Sequence, residues 1–263
     1  MIRLEQVSKV FNEGTVNETR AIHNVNLNVR EGDFITVIGS NGAGKSTLFN
    51  LIAGTYAPTE GKIFVNDADV TRTPEYKRAK YIGRIFQNPL LGTAGNMSLE
   101  DNMTISHKKG FKGLGISLNS RLRERFRKEL EVLDMGLESR LKNNVNLLSG
   151  GQRQALTLLM MVLSRPALIL LDEHTAALDP RNAAKVLELT KRFIEEYRLT
   201  AIMITHNMAN AIAYGNRLLM MDAGEIILDI EGREKQDMTV EKLVDKFHAI
   251  RKKEFENDEV LLS

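Results

Sequence analysis

Residues 39–47 read Gly-Ser-Asn-Gly-Ala-Gly-Lys-Ser-Thr, set between a short apolar stretch and a helical pattern, and they constrain the chain more than any other segment. They satisfy G-x-x-x-x-G-K-[ST], in which a glycine-rich turn lets successive backbone N–H groups and the start of the next helix close on phosphate oxygens. Context gives the match its weight. Phe34, Ile35, Thr36, Val37 and Ile38 are β-rich and few enough for a buried strand, while Leu48, Leu51 and Ile52 share one face of a helix beginning near Lys45. Gly39, Ser40, Asn41, Gly42, Ala43, Gly44, Lys45, Ser46 and Thr47 are therefore expected to cradle a nucleoside triphosphate. Lys45 would present its charge to the β- and γ-phosphates and Ser46 an oxygen to Mg2+.

Bulk properties narrow the class. The chain has 263 residues, 43% of them hydrophobic, enough to bury a core and most simply one α/β domain with a helical insert. With 36 basic against 34 acidic residues, charge gives no case for nucleic acid as a partner. Cysteine is absent, which removes disulfides and thiol catalysis and fits a reducing cytosol. No apolar run approaches the roughly 20 residues of a membrane helix, and the opening Met1-Ile-Arg-Leu-Glu-Gln lacks a signal peptide's apolar region. Any membrane pore is expected on another chain.

Alternation at Ile2, Leu4 and Val7, and at Val25, Leu27 and Val29, predicts strands of an antiparallel β layer, continued by residues 61–68. A further strand over 81–86 ends at Gln87. From 88 to 160 the pattern turns helical, with Ser120 expected to cap a helix carrying Leu122, Phe126, Leu130 and Leu133. Asp179 and Pro180 suit the N-cap and first position of a helix bearing Val186, Leu187, Thr190 and Ile194. Another strand over 200–205, a short helix from Asn207, a hairpin around residues 222–225, a helix from Thr239 and a charged tail from Arg251 complete the pattern. Strands alternating with helices argue for a mainly parallel sheet covered on both faces.

A second motif specifies the kind of phosphate-loop protein. Residues 148–154 read Leu-Ser-Gly-Gly-Gln-Arg-Gln, followed by Ala167-Leu-Ile-Leu-Leu-Asp-Glu, an apolar strand ending in two carboxylates. With these motifs in this order, the chain resembles the ATP-binding subunits of ABC transporters over about residues 1–235, with a helical subdomain inserted at about 88–160 and residues 236–263 as a C-terminal helix and tail. The resemblance implies ATP and Mg2+ as cofactors. Asp172 would support the metal, Gln87 would reach both the metal and the attacking water, and Glu173 would orient and polarise that water. His206 would contact the γ-phosphate, and Phe11 would stack on adenine where this family more often has tyrosine. Ser149, Gly150, Gly151 and Gln152 would reach the γ-phosphate held by a second copy, and Asp179 would lie in a loop crossing that dimer interface.

The same resemblance favours an importer: a peripheral protein on the cytoplasmic face of the membrane, acting on separate permease subunits fed by an extracytoplasmic substrate-binding protein. Residues 172–179 and the loop after Gln87 are similar to importer ATPases associated with amino-acid uptake, aromatic amino acids among them. A soluble ABC ATPase of a non-transport complex is the alternative. Three departures stand out. His174 replaces the usual proline after the glutamate, where it could tune Glu173, but a solvent-facing ring is the expectation; the loop after Gln87 is long and glycine-rich, as a specialised docking loop would be. Lys108, Lys109, Lys112, Arg121, Arg123, Arg125, Arg127 and Lys128 form a basic segment, read as a solvated helix face or a contact to lipid or an acidic partner.

Overall fold

The computed structural model describes residues 1–107 and 118–262, with side chains described as far as residue 252. The chain divides into two compact units, Met1–Glu75 together with Ile202–Ser263, and Tyr76–Ala201.

In the first unit, β1 (Ile2–Phe11) pairs antiparallel with β2 (Thr19–Val29) on one edge and β4 (Glu60–Val65) on the other, and β5 (Ala68–Asp69) completes the order β2-β1-β4-β5. Ile2, Leu4, Val7, Val25, Leu27 and Val29 are all buried, as their alternation predicts. A second sheet of this unit centres on β3 (Phe34–Gly39), which runs parallel to β9 (Arg217–Asp222) and has β8 (Ala201–Ile204) as its other neighbour. β10 (Glu225–Glu231) adds antiparallel to β9. β3 emerges into the phosphate loop and α1 (Lys45–Ala53), and β8 into α7 (Met208–Ala213). After β10 come α8 (Gly232–Gln236) and α9 (Val240–Leu262), so the segment from 251 expected as a tail continues the last helix. Leu243 of α9 is buried with Ile38, Leu218, Met220 and Ile230, and Phe247 packs against the same cluster.

In the second unit, β6 (Ile82–Ile85) and β7 (Leu168–Asp172) are parallel. Around them are α2 (Glu75–Arg78), α3 (Leu99–His107), α4 (Ser120–Glu131), α5 (Gly150–Leu163) and α6 (Pro180–Glu196). α5 packs against α3, α6 and β6. The cap of α4 is Asn119 rather than Ser120: the Asn119 carboxamide accepts from the Leu122 N–H at 2.9 Å, which makes Ser120 the first helical residue. On α4, Arg125 pairs with Glu129 and Arg127 with Glu124 along the helix, as on a solvated face, whereas Arg123 reaches across to the buried Glu100 of α3. Lys108, Lys109 and Lys112 lie outside the described residues. Among the described residues no helix is long and apolar enough to cross a membrane. Parallel and antiparallel pairing, with helices between strands, is the expected α/β phosphate-loop architecture.

Candidate active site

The phosphate loop is built by glycine. Gly39, Gly42 and Gly44 all have positive φ, and a Cβ on Gly44 would stand 2.6 Å from the Ala21 carbonyl oxygen. Gly44 precedes α1 with no side-chain cap, so the positive end of the helix faces the loop without a capping side chain. Lys45 is buried and folds back on its own loop, its Nζ donating to the carbonyls of Gly39 and Ser40 at 2.8 Å each. Asn41, Gly42 and Ser46 are exposed. From β8, the Thr205 N–H donates to Val37 O at 3.1 Å, which puts exposed His206 at the end of the sheet where β3 gives way to the loop. Asn207 caps α7, with its carboxamide accepting from the Asn210 N–H at 3.0 Å. Phe11 is half-buried at the end of β1, its ring edge-on to Tyr56 at 5.3 Å with Lys9 Nζ 5.1 Å from its centroid.

The second unit carries the carboxylates. Ile85 registers with Leu171, so Gln87 and Glu173 leave β6 and β7 at the same end. Asp172 accepts from Arg84 at 2.9 Å, both groups being largely enclosed. Arg84 has no place in any motif, and only the register reveals its role in holding this carboxylate. Glu173 adopts φ +47°, a left-handed conformation that costs a non-glycine residue about 1–2 kcal/mol.

His174 corrects the expectation of a solvent-facing ring: it is buried. Its Nε2 lies 3.0 Å from Thr190 Oγ1 on α6, and the Thr190 hydroxyl proton is already given to Val186 O at 2.8 Å. Thr190 Oγ1 must then accept, which fixes the imidazole as the Nε2–H tautomer. Burial pushes its pKa down to about 4, so it is neutral at physiological pH. The apolar positions around Thr190 on α6 conceal this partner from a periodicity reading.

Ser149 caps α5 in a capping box, its hydroxyl accepting from the Gln152 N–H at 3.2 Å while the Gln152 side chain accepts from the Ser149 N–H at 3.2 Å. A Cβ on Gly151 would come within 2.7 Å of Asn182 Cγ, so the glycine admits the start of α6 against the start of α5. Asn182 also donates to both oxygens of Asp179, which holds that carboxylate below the usual range. The signature residues and Asp179 are thus gathered by one asparagine that no motif singles out. In the loop after Gln87, buried Asn102 grips Ala94 from both sides: Ala94 N–H donates to its carboxamide at 2.8 Å, and its amide donates to Ala94 O at 3.1 Å. Leu90 and Leu91 of that loop are exposed.

The ABC transporter family model matches residues 22–176. The chain is 38% identical over 250 residues to the "Tyrosine transport ATP-binding protein" of Clostridioides difficile (strain R20291), covering 94% of this chain and 98% of that one. It is 28% identical over 263 residues to an "Energy-coupling factor transporter ATP-binding protein EcfA2" of Caldanaerobacter subterraneus subsp. tengcongensis, covering 96% and 90%. Among solved structures, the dimeric ATP-binding cassette MJ0796 bound to ADP and Pi is similar, with TM-score 0.73 and 28% identity over 88% of this chain and 98% of that chain.

Proposed function

The chain belongs to the ABC transporter ATP-binding family, and from that premise we propose that it is the motor subunit of an amino-acid importer. It is an ATPase. Two copies close on two ATP molecules, and hydrolysis reopens them to drive separate permease subunits supplied by an extracytoplasmic substrate-binding protein. The protein then sits peripherally on the cytoplasmic face of the membrane, with residues 1–235 as the ATPase domain. The observation that carries the importer reading is the likeness to a tyrosine-transport ATPase along nearly the full length of both chains. The exposed Leu90 and Leu91, on a loop riveted by Asn102, suit a docking surface for a membrane subunit.

In this reading the phosphate loop binds the triphosphate, with Lys45 turning from its own carbonyls toward the phosphates, and Phe11 stacks on the base. Ser46, Gln87 and Asp172 offer only oxygen ligands, the donor type Mg2+ selects. When bound, the ion neutralises phosphate charge. Glu173 orients and polarises the attacking water, and His206 contacts the γ-phosphate. Ser149 and the start of α5 serve the nucleotide of the partner copy; the hydroxyl that accepts from Gln152 still has its own proton to donate.

Uptake of labelled tyrosine, phenylalanine and tryptophan by cells with and without the gene tests the cargo. Loss of aromatic amino-acid uptake is expected; unaltered uptake refutes that cargo. Co-purification with a polytopic membrane protein is expected, and recovery solely in a soluble complex would favour a non-transport role. In a Glu173→Gln background, ATP should drive dimerisation in ultracentrifugation and an added Ser149→Arg should prevent it. Dimerisation of that double variant would refute the shared site.

A further inference from the structure

The hairpin between β9 and β10 lies against the phosphate loop at several points. Gly224 N–H donates to Ala43 O at 3.2 Å, and a Cβ on Gly44 would stand 3.3 Å from Gly224 Cα. Ser40 Oγ, inside the loop, donates to Asp222 Oδ1 at 3.3 Å. Asp222 is 4% exposed, so the last residue of β9 places a nearly dry carboxylate directly behind a loop built for a polyanion. That arrangement opposes the loop's task, because an anion so poorly screened by water repels an incoming triphosphate.

α9 supplies the remedy. Arg251 Nη2 bonds the other carboxylate oxygen, Asp222 Oδ2, at 2.7 Å, and its guanidinium lies 5.8 Å from the Phe247 ring centroid. Leu243 and Phe247 anchor α9 to the cluster that contains Ile38, the residue before the loop. Helix, hairpin and loop therefore form one chain of contacts: α9 holds the guanidinium, the guanidinium holds Asp222, and Asp222 holds Ser40.

We propose that Arg251 and Asp222 are positioning residues that set ATP affinity from outside the phosphate loop. Arg251 cancels the charge of Asp222 and leaves it as a neutralised brace for Ser40. Loss of Arg251, or undocking of α9, turns that brace into a bare anion behind the nucleotide, so the C-terminal helix is part of the nucleotide-binding apparatus. The inference rests on residues 39–47 holding the triphosphate, which Lys45→Ala tests separately by abolishing ATP binding in the same assay.

Equilibrium titration of the full chain with MgATP and MgADP tests it. Arg251→Gln should weaken ATP about fivefold and ADP by less, since the more highly charged ligand feels the uncovered carboxylate more. Arg251→Lys should stay within about twofold of the parent, because the charge remains. Asp222→Asn, leaving Arg251 unopposed beside the loop, should tighten ATP, and Asp222→Asn with Arg251→Gln should restore most of the affinity lost by Arg251→Gln alone. Parent-like ATP binding by Arg251→Gln overturns the proposal. So does a loss equal for ATP and ADP that Asp222→Asn fails to rescue, which would mark Arg251 as packing for Phe247. If Arg251→Gln does not fold, Asp222→Asn decides: unchanged or weaker ATP binding by that variant refutes the charge argument.

Discussion

The phosphate loop and the turn that carries Glu173 both leave a buried strand by a sharp bend, but they hold their bends by different means. In the loop, Gly39, Gly42 and Gly44 take the positive φ values, as suits a site whose proposed working groups are backbone N–H donors that a side chain would obstruct. At the end of β7 the proposed working group is a side chain, so glycine could not serve, and Glu173 itself adopts φ +47°. The conformation is held by its surroundings: Glu173 O accepts from the Ala176 N–H at 2.9 Å, and the next residue, His174, is locked to Thr190 on α6. One bend is free of strain and the other is strained and braced. Where function resides in the backbone the sequence can relax; where it resides in a carboxylate the fold must compensate.

Glu173→Gln breaks the comparison most severely. It should keep ATP binding while lowering turnover by more than about 100-fold, the low end for a lost general base, whereas Lys45→Ala should fail already at binding. Parallel measurements of nucleotide affinity and steady-state hydrolysis separate the two, and parent-like turnover by Glu173→Gln would remove it from the water-activating role.

The brace should appear as a pH dependence. His174 has a folded pKa of about 4, below the 6.5 of an unfolded chain, so protonation favours the unfolded state. The stability it contributes is complete above pH 6.5 and declines as pH falls from 6.5 toward 4, by about 3 kcal/mol over the full interval. His174→Gln, which keeps an N–H for Thr190, should flatten that part of the stability profile in denaturant titrations. A slope unchanged by the substitution would mean that another group titrates there.

Phe11→Ala should weaken ATP and ADP alike by about 1–3 kcal/mol, with Phe11→Tyr mild. Its half-buried ring predicts little change in melting temperature; normal binding with a large drop in melting temperature would make it a packing residue. The smallest effect sharpens the contrast directly: Glu173→Gly should relieve the left-handed strain, worth about 1 kcal/mol, and raise the melting temperature while abolishing hydrolysis. Gly44→Ala should do the reverse and destabilise. If both substitutions destabilise equally, the two bends do not differ as argued.

The loop, the strands that flank it and the caps at Asp179 and Asn207 were legible in the sequence because each is local: a pattern of neighbours specifies a bend, a strand or a helix start. Residues 148–154 were legible for the same reason, although Ser149 as one half of a capping box appears only with the Gln152 geometry. The supports of the site were not legible, since none of them follows a local pattern of motif or periodicity. Arg84 reaches Asp172 from the neighbouring strand, and Asn182 serves Gly151 and Asp179 together. Asn102 grips a loop eight residues earlier, where a helical polar residue reads as surface. His174 was misjudged because a charged neighbour and a loop position suggest solvent, whereas Thr190 offers an acceptor that lets an imidazole be buried.

The two bonds from Lys45 to Gly39 O and Ser40 O bear on the timing of the working cycle. A loop tied across by its own cation owes its shape to its own bonds, so binding a phosphate there calls for the Lys45 ammonium to exchange these carbonyls for phosphate oxygens. The loop is thus preformed and needs no ordering step of its own.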